Sequence, residues 1–143
     1  MTVRKILNLK GADVVTIAPE QKLLDAIAML TKYRIGALIV TATNGEVVGV
    51  LSERDIVHLL SNTDNNRFEN TVASAMTSPV QTCRPDDTIQ QIMHLMTAGR
   101  FRHMPVVEQG RLTGVISIGD VVKLRLEEME RESEELKQYI ATA

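Results

Sequence analysis

Two Ser-x-x-Asp motifs are the part of this sequence with the clearest capacity for chemistry. Ser52 and Asp55 form the first motif, and Ser117 and Asp120 form the second, 65 residues later (117 − 52). Each motif follows a Gly-Val pair, in the stretches GVLSERDIV and GVISIGDVV. A carboxylate has two acceptor oxygens, which suit two neighbouring sugar hydroxyls, and a helix start offers free N–H groups to a phosphate. The same spacing is that of a capping box, in which the pair serves only its own helix.

The similarity between the two halves of the chain extends well upstream of these motifs. APEQKLLDAIAML (18–30) aligns with RPDDTIQQIMHLM (84–96) at an offset of 66. YRIGALIV (33–40) aligns with GRFRHMPV (99–106) at the same offset. Self-similarity on this scale indicates a duplicated structural unit. The predicted organisation is repeat one with its lead-in at 1–60, a polar linker at 61–71, repeat two at 72–126 and a C-terminal helical tail at 127–143.

Each unit has the pattern β-α-β-β-α. The helices are amphipathic, and Asn44-Gly45 between two apolar runs is a strong hairpin signal. Because neither unit can bury both faces of so short a sheet alone, the two units should pack together. The predicted elements of repeat one are a strand at 14–17, a helix at about 22–33, strands at 36–41 and 46–51, and a helix from Ser52; those of repeat two are a strand at 80–83, a helix at about 88–99, strands at 103–107 and 111–116, and a helix from Ser117.

Composition excludes several classes of function. The chain has 143 residues, of which 44% are apolar, enough for one compact domain or two small units sharing a core. A net charge of −2 leaves no broad basic field for nucleic acid or an anionic membrane. The single cysteine, Cys83, indicates a reducing compartment. No secretory signal is evident, and the longest apolar run, 35–40, is too short to span a bilayer, so we expect a soluble cytoplasmic protein.

Over roughly residues 3–126 the sequence resembles the cystathionine β-synthase (CBS) domain family, in particular the stand-alone bacterial CBS-pair proteins. The resemblance implies an α/β (α+β) fold in which two repeats form one pseudo-twofold module with two clefts. It also implies a ligand that contains adenosine (AMP, ADP, ATP, NAD or S-adenosylmethionine), no metal, and a disc-like homodimer. The implied function is non-catalytic regulation of an unidentified protein partner through a change of conformation or assembly.

In CBS pairs each cleft combines the first strand of one repeat with the Ser-x-x-Asp helix of the other. By this resemblance the cleft at Asp55 includes Thr82, Arg102 and His103, and the cleft at Asp120 includes Val14, Thr16, Gly36 and Ala37. Without the resemblance these residues would be interpreted as ordinary strand and core. The nucleotide-binding residues predicted in full are Val14, Thr16, Ile35, Gly36 and Ala37 from the first strands of repeat one, Thr82, Arg102, His103 and Pro105 from those of repeat two, and Ser52, Arg54, Asp55, Ser117, Gly119 and Asp120 from the two motifs.

The two predicted clefts differ in chemistry. Arg102 and His103 lie at the start of a strand and suit the negative charge of a phosphate. The alternative interpretation of these charges is a solvated strand edge, and we assign Arg100 to the surface. The aligned positions of repeat one hold Gly36 and Ala37. Gly119 allows a ligand to approach the backbone, where the first motif has Arg54. The clefts should therefore differ in affinity or in ligand.

The C-terminal tail contains an interrupted heptad pattern. Its apolar positions alternate by four and three and are broken once by Ser133. One interpretation is a terminal helix lying on its own domain, and the other, which we favour, is a helix packed across a dimer. The positions concerned are Val122, Leu126, Met129, Ser133, Leu136 and Ile140.

Two other classes of function remain open on the sequence alone. An enzyme would need groups such as Cys83, His58, His94 or His103, but no metal-ligand spacing, triad signature or phosphate-binding loop accompanies them. The second class is a ligand-free protein-interaction scaffold with vestigial clefts. We expect no catalysis and keep the scaffold as the alternative.

Overall fold

The structure, a computed structural model, describes residues 1–61 and 70–142. Most of the predicted linker at 61–71 and the last residue of the predicted tail lie outside the described residues, so the domain boundaries stay a prediction. The α/β fold class is confirmed. In chain order the elements are α1 (Val3–Lys10), β1 (Thr16–Ile17), α2 (Leu23–Tyr33), β2 (Ala37–Thr41), β3 (Val47–Ser52), α3 (Glu53–Leu60), α4 (Val72–Ala75), α5 (Ile89–Gly99), β4 (His103–Glu108), β5 (Arg111–Ser117) and α6 (Ile118–Thr142).

Each repeat contributes a small sheet with one antiparallel hairpin. In repeat one the strand order is β1-β2-β3, with β1 parallel and β3 antiparallel to β2. In repeat two β4 and β5 form the hairpin. Gly45 has φ +85° and Gly110 has φ +76°, so glycines occupy the left-handed backbone positions that the predicted turns require.

The first strands are shorter than the sequence predicted. In repeat one only Thr16–Ile17 is a strand, and in repeat two the predicted strand is reduced to a single parallel bridge from Cys83 to Val106. The backbone of Cys83 still exchanges two hydrogen bonds with β4, at 3.0 and 2.8 Å. Pro85 follows two residues after Cys83, and Pro105 stands opposite the residues that precede it; because proline has no N–H to donate, pairing stops on both sides.

A short helix precedes each repeat, α1 before repeat one and α4 before repeat two, and we call these the lead-in helices. Each lead-in helix packs in the hydrophobic core of the other repeat. Val3 and Ile6 of α1 are buried in the core of repeat two, and Val72 of α4 is buried in the core of repeat one. Backbone hydrogen bonds hold both helices, since Val3 N–H donates to the Asp87 carbonyl at 3.0 Å and Val72 N–H to the Gln21 carbonyl at 2.8 Å. Each fully buried aliphatic side chain contributes about 1.5–3 kcal/mol. Each repeat therefore completes its core with the lead-in of the other.

The glycine of each Gly-Val pair makes this exchange sterically feasible. A Cβ atom on Gly49 would lie 2.5 Å from Sδ of Met76, which follows α4, and one on Gly114 would lie 2.6 Å from Cδ2 of Leu7 in α1. A side chain at either glycine would require the Met76 or Leu7 side chain to shift, so the recurrence of glycine reflects the packing of these side chains on the second strand of each hairpin.

Candidate nucleotide site

Both Ser-x-x-Asp motifs form complete capping boxes. In α3, Asp55 N–H donates to Ser52 Oγ at 3.2 Å, and Ser52 N–H donates to Asp55 Oδ2 at 2.8 Å. In α6 the matching distances between Ser117 and Asp120 are 3.2 and 2.9 Å. The backbone role of the motif is therefore real in both copies. A ligand must use the carboxylate lone pairs that this role leaves free.

The two carboxylates receive different partners from the lead-in segments. The Thr77 hydroxyl, just after α4, donates to Asp55 Oδ1 at 3.0 Å. The Lys10 ammonium, at the end of α1, donates to Asp120 Oδ2 at 2.8 Å and to the Val115 carbonyl at 3.2 Å. A neutral hydroxyl thus faces one aspartate and a full positive charge faces the other. The structure shows this chemical inequality at a position that the sequence did not indicate.

A cleft of about 260 Å³ opens at the start of α3, and we call it the Asp55 cleft. Its volume is close to the lower end of small-molecule pockets, about 300–1,000 Å³. It brings the first motif of repeat one together with the start of β4 in repeat two, as the resemblance implied. The cleft is lined by Gly36, Val50, Ser52, Glu53, Arg54, Asp55, Thr77, Arg100, Phe101, Arg102 and His103.

The beginning of each hairpin is tied to the following helix. Glu53 N–H at the start of α3 donates to the Gly36 carbonyl at 3.0 Å, and Ile118 N–H at the start of α6 donates to the Arg102 carbonyl at 2.8 Å. A Cβ on Gly36 would be 3.5 Å from Nε2 of His103. The two strand starts therefore meet where the repeats join, and the His103 imidazole lies between the two motifs.

The second motif faces a much smaller space, which we call the Asp120 recess. It has a volume of about 120 Å³, too small for a nucleoside unless side chains move. Lys10 and Asp120 both line it, so their ion pair closes the recess. The other lining residues are Ile6, Leu9, Lys123, Leu124 and Glu127.

The protonation of His103 responds to both motifs. Burial lowers its pKa below the ordinary value of 6.5, and the nearby Lys10 lowers it further. Arg102 acts in the same direction, while the carboxylates of Asp120 and Glu53 oppose the shift. The imidazole is consequently neutral at pH 7, and an anion placed beside it would favour its protonated form.

The pKa of the Asp120 carboxyl is lowered from its ordinary value of 3.8. Burial by itself would raise this pKa, but hydrogen bonds from Lys10 and Ser117, together with the charge of Lys10, outweigh burial. Asp120 is therefore fully ionised at neutral pH and paired with Lys10.

Several predicted residues lie elsewhere than the resemblance implied. Gly36 lines the Asp55 cleft rather than the Asp120 recess. Thr82 lines neither, but a separate concavity of about 700 Å³ that contains neither motif. Val14 is half-buried just before β1, and Thr16 is exposed and paired with Ile39.

The remaining predicted residues have structural positions in the repeats. Ile35 packs on the core of repeat one, and Ala37 pairs with Ser52 in the hairpin. Pro105 is buried in β4, where its carbonyl accepts the hydrogen bond from Cys83 N–H at 3.0 Å. Gly119 is exposed, and a Cβ there would meet only Ser117 Oγ at an ordinary 3.6 Å, so sterics do not require glycine.

Several residues around the motifs were not predicted from the sequence. Lys10 and Thr77 were not considered, because only tertiary packing brings each lead-in to the opposite aspartate. Phe101 was not considered, and Arg100 was assigned to the surface, yet both line the Asp55 cleft. For Arg100 the alignment of the two repeats did contain a signal, because Arg34 occupies the aligned position 66 residues earlier. In the structure both arginines end a helix in the left-handed conformation, with φ values of +55° for Arg100 and +53° for Arg34.

The residues considered for catalysis do not assemble with one another. Burial, and then the charge of Asp87, raises the pKa of the Cys83 thiol to about 12, so it is not a nucleophile at neutral pH. His58 is exposed in the last turn of α3, and His94 is exposed on α5. Of these groups, only His103 lines the Asp55 cleft.

Comparison with known protein families identifies the two repeats. The model of the CBS domain matches the chain twice, over residues 3–62 and 72–127. The chain belongs to the CBS domain family. The two matches correspond to the repeats described above, so the structure is a tandem CBS pair, and pairs of this kind are regulatory rather than catalytic modules.

Solved CBS-pair structures share the fold. A CBS-domain protein from Agrobacterium tumefaciens is 44% identical with a TM-score of 0.82, over 87% of this chain and 92% of that one. A protein with CBS domains from Burkholderia ambifaria is 33% identical with a TM-score of 0.83, over 89% and 95%. The CBS pair of protein MJ0100, 23% identical with a TM-score of 0.78 over 90% and 98%, was solved with 5′-methylthioadenosine and S-adenosylmethionine.

Similar CBS proteins vary in overall length. YhcV of Bacillus subtilis is 27% identical over 84% of this chain and 82% of its own length. The mitochondrial CBSX3 of Arabidopsis thaliana is 31% identical over 81% of this chain, which spans only 58% of that protein. Within residues 1–61 and 70–142, none of the helices has the length and apolar character that crossing a membrane requires. The cytoplasmic location stays a prediction.

Proposed function

We propose that this protein is a regulatory module that binds an adenosine-containing ligand in the Asp55 cleft, with an adenine mononucleotide such as AMP as the preferred class. One observation carries the proposal. A single cleft contains the Asp55 carboxylate of repeat one, which can accept hydrogen bonds from sugar hydroxyls, and the Arg100 and Arg102 guanidinium groups of repeat two. The ligand-bound structure of MJ0100 supports adenosine as the common part of the ligand.

The ribose is assigned to Asp55. A carboxylate offers about four lone-pair positions. Ser52 takes two of them through its N–H and hydroxyl, at 2.8 and 3.0 Å, and the Thr77 hydroxyl takes a third on Oδ1 at 3.0 Å. One ribose hydroxyl can use the remaining position, and rotation of the Thr77 hydroxyl frees a second on the same edge. The half-buried aromatic ring of Phe101 and the buried side chain of Val50 offer apolar surface to the base.

The phosphate is assigned to the start of β4. Arg100, Arg102 and the neutral His103 line the cleft together, and guanidinium groups suit phosphate oxygens in a bidentate geometry. The same cations disfavour the positively charged sulfonium of S-adenosylmethionine. We therefore place AMP, ADP and ATP ahead of S-adenosylmethionine, and ahead of NAD because the cleft is small.

The Asp120 recess is proposed as a second, weaker site. A ligand there must displace the Lys10 ammonium from Asp120, or rotate it toward a phosphate, and must enlarge a volume of about 120 Å³. This cost makes the two clefts unequal. The Asp55 cleft should fill first.

Binding in the Asp55 cleft would connect the two repeats. The ligand would bridge the start of α3 in repeat one and the start of β4 in repeat two. It therefore favours whichever relative position of the repeats suits both contacts, and a regulated protein partner would respond to that population.

Calorimetric titration with AMP, ATP, NAD and S-adenosylmethionine tests the proposal. Asp55→Asn should weaken AMP binding by about tenfold or more, since hydrogen bonds to a charged group are each worth about 1.5–3 kcal/mol. Asp120→Asn is the matched control because its cap is equivalent, and it should leave the stronger site unchanged. Circular dichroism checks the fold of each variant. Equal AMP affinities of Asp55→Asn and the unmodified protein would refute the proposed role of Asp55.

The alternative is a ligand-free interaction scaffold, and one observation favours it. Both motif carboxylates already serve their own helix caps and a lead-in residue, so neither needs a ligand to be satisfied. Under this alternative none of the four ligands raises the melting temperature at millimolar concentration, whereas a ligand that binds the folded state must raise it.

A further inference from the structure

The C-terminal half of α6 extends away from the rest of the described chain. The buried residues of this 25-residue helix are Val121 and Leu124, both near its start. Residues 130–142 are all exposed. The interpretation of the tail as a helix lying on its own domain is therefore wrong for these residues. Most of the stability of helices in proteins comes from the packing of one face, and residues 130–142 have no such packing within the described chain.

An exposed apolar stripe runs along the same helix. Its members, with their exposed fractions, are Val122 (40%), Leu126 (54%), Met129 (50%), Leu136 (59%) and Ile140 (66%), and Ser133 occupies the one polar position in the pattern. We call these six residues the α6 stripe. They recur by four and three, which is the spacing of a coiled-coil seam. The seam continues onto the exposed part of the helix, so it suits a second helix packed alongside.

We propose that the α6 stripe pairs with that of a second copy of this chain, as a parallel two-stranded coiled coil. In heptad terms Leu126, Ser133 and Ile140 are a positions, and Val122, Met129 and Leu136 are d positions. In a parallel pair each g residue faces the e residue five positions later in the other helix. Two such pairs lie within the α6 stripe, and both consist of oppositely charged residues.

The first pair sets Arg125 against the partner's Glu130, and the second sets Glu132 against the partner's Lys137. Both pairs are of opposite charge, and symmetry doubles them. Arg125 already donates to Glu128 of its own helix at 2.8 Å, but its guanidinium has further donors for the partner. The charges beside the stripe are thus complementary to a second copy in the parallel orientation.

The antiparallel orientation lacks this match. Full overlap of two antiparallel stripes would set Lys123 beside the partner's Lys137, and Glu130 beside the partner's Glu130. Like charges at such positions are destabilising. Charge therefore selects the parallel arrangement. Ser133 at a central a position makes the pair weaker than an uninterrupted seam.

The test measures self-association of the full chain by sedimentation at several concentrations. Glu132→Lys and Lys137→Glu should each weaken the dimer by about fivefold or more, because each replaces attraction with repulsion twice. The double variant carrying both changes should restore it in a parallel pair, whereas in an antiparallel pair Lys137→Glu alone would face the partner's Lys123 and tighten the dimer. Ser133→Ile should tighten the dimer, since isoleucine at an a position favours two strands. These positions are exposed, so loss of fold does not confound the result.

Cross-linking provides an independent measurement of orientation. Ile140→Cys places two thiols side by side only in a parallel pair, and it should form a disulfide dimer under mild oxidation. Ala141→Cys is the matched control, because it lies off the seam and should not cross-link. A monomer in both the unmodified protein and Ser133→Ile would overturn the proposal, as would a dimer that is insensitive to all of these changes. Because none of the readouts involves a nucleotide, failure here leaves the proposed function unaffected.

Discussion

Nζ of Lys10 lies 2.8 Å from Oδ2 of Asp120, so the last residue of α1 neutralises the carboxylate that begins α6. The corresponding carboxylate of the first motif, Asp55, accepts a hydrogen bond from the neutral Thr77 hydroxyl instead. The duplicated caps are alike, and the lead-in residues that reach them are not. The difference between the two halves of the module therefore arises from the exchange of α1 and α4.

Removing the Lys10 ammonium should open the Asp120 recess. We expect Lys10→Met to add a second AMP binding event, or to strengthen a weak one, because the Asp120 carboxylate then lacks its strongest competitor for a sugar hydroxyl. Calorimetric stoichiometry measures the effect. Lys5→Met on the same helix is the control and should leave the stoichiometry unchanged. A lower affinity in Lys10→Met would instead identify Lys10 as a ligand contact.

The same ion pair should produce acid-sensitive stability. Because the folded pKa of Asp120 is lowered below 3.8, its contribution is present above the unfolded pKa and is lost as pH falls through the folded pKa. For a partly exposed pair we expect up to about 1 kcal/mol at pH 7. Urea unfolding of the unmodified protein and Lys10→Met should therefore differ at pH 7 and converge as the pH falls through the folded pKa of Asp120. A difference that persists in acid would show a packing role for the lysine stem.

His103 should lower the stability of the free protein in mildly acidic solution. Its folded pKa is below the ordinary 6.5, so the unfolded chain binds a proton more readily than the folded chain. The free energy of unfolding should consequently decrease as pH falls through 6.5 toward the folded pKa. Melting temperatures of the unmodified protein and His103→Gln between about pH 8 and pH 5 measure this, and the variant should show the flatter profile.

Nucleotide binding should reverse that penalty. A phosphate beside His103 raises the pKa of the imidazole, so the complex takes up a proton and His103 contributes more to AMP affinity as pH falls from about 8 to about 6. The ratio of AMP affinities of the unmodified protein and His103→Gln should increase over this range. Taking the ratio cancels titration of the AMP phosphate itself. A constant ratio would place the phosphate away from His103.

A side chain at Gly114 should destabilise the protein. A Cβ there would lie 2.6 Å from Cδ2 of Leu7, so the Leu7 side chain, which packs on the core of repeat two, would have to shift. We expect Gly114→Ala to lower the free energy of unfolding by about 1–3 kcal/mol. Gly119→Ala is the matched control, since a Cβ there meets only Ser117 Oγ at 3.6 Å. Urea unfolding of both variants decides between a packing role and a purely conformational role for Gly114.

Local elements were largely predictable because their causes are local. Helices predicted at about 22–33 and 88–99 are Leu23–Tyr33 and Ile89–Gly99, since the apolar periodicity that defines them lies within one segment. The first strands were overpredicted, because their length depends on pairing with distant strands, which Pro85 and Pro105 interrupt in repeat two. The helix over Val3–Lys10 was not predicted at all.

By itself the sequence determined the duplication, the order of elements in each repeat and the two capping boxes. All three depend on residues that are close together along the chain. Only the tertiary structure decided that the lead-in helices exchange cores, that Lys10 and Thr77 reach opposite aspartates, and that Arg100 and Phe101 join Asp55 in one cleft. Lys10 and Asp120 are 110 positions apart, and such contacts form only when two complete repeats pack together.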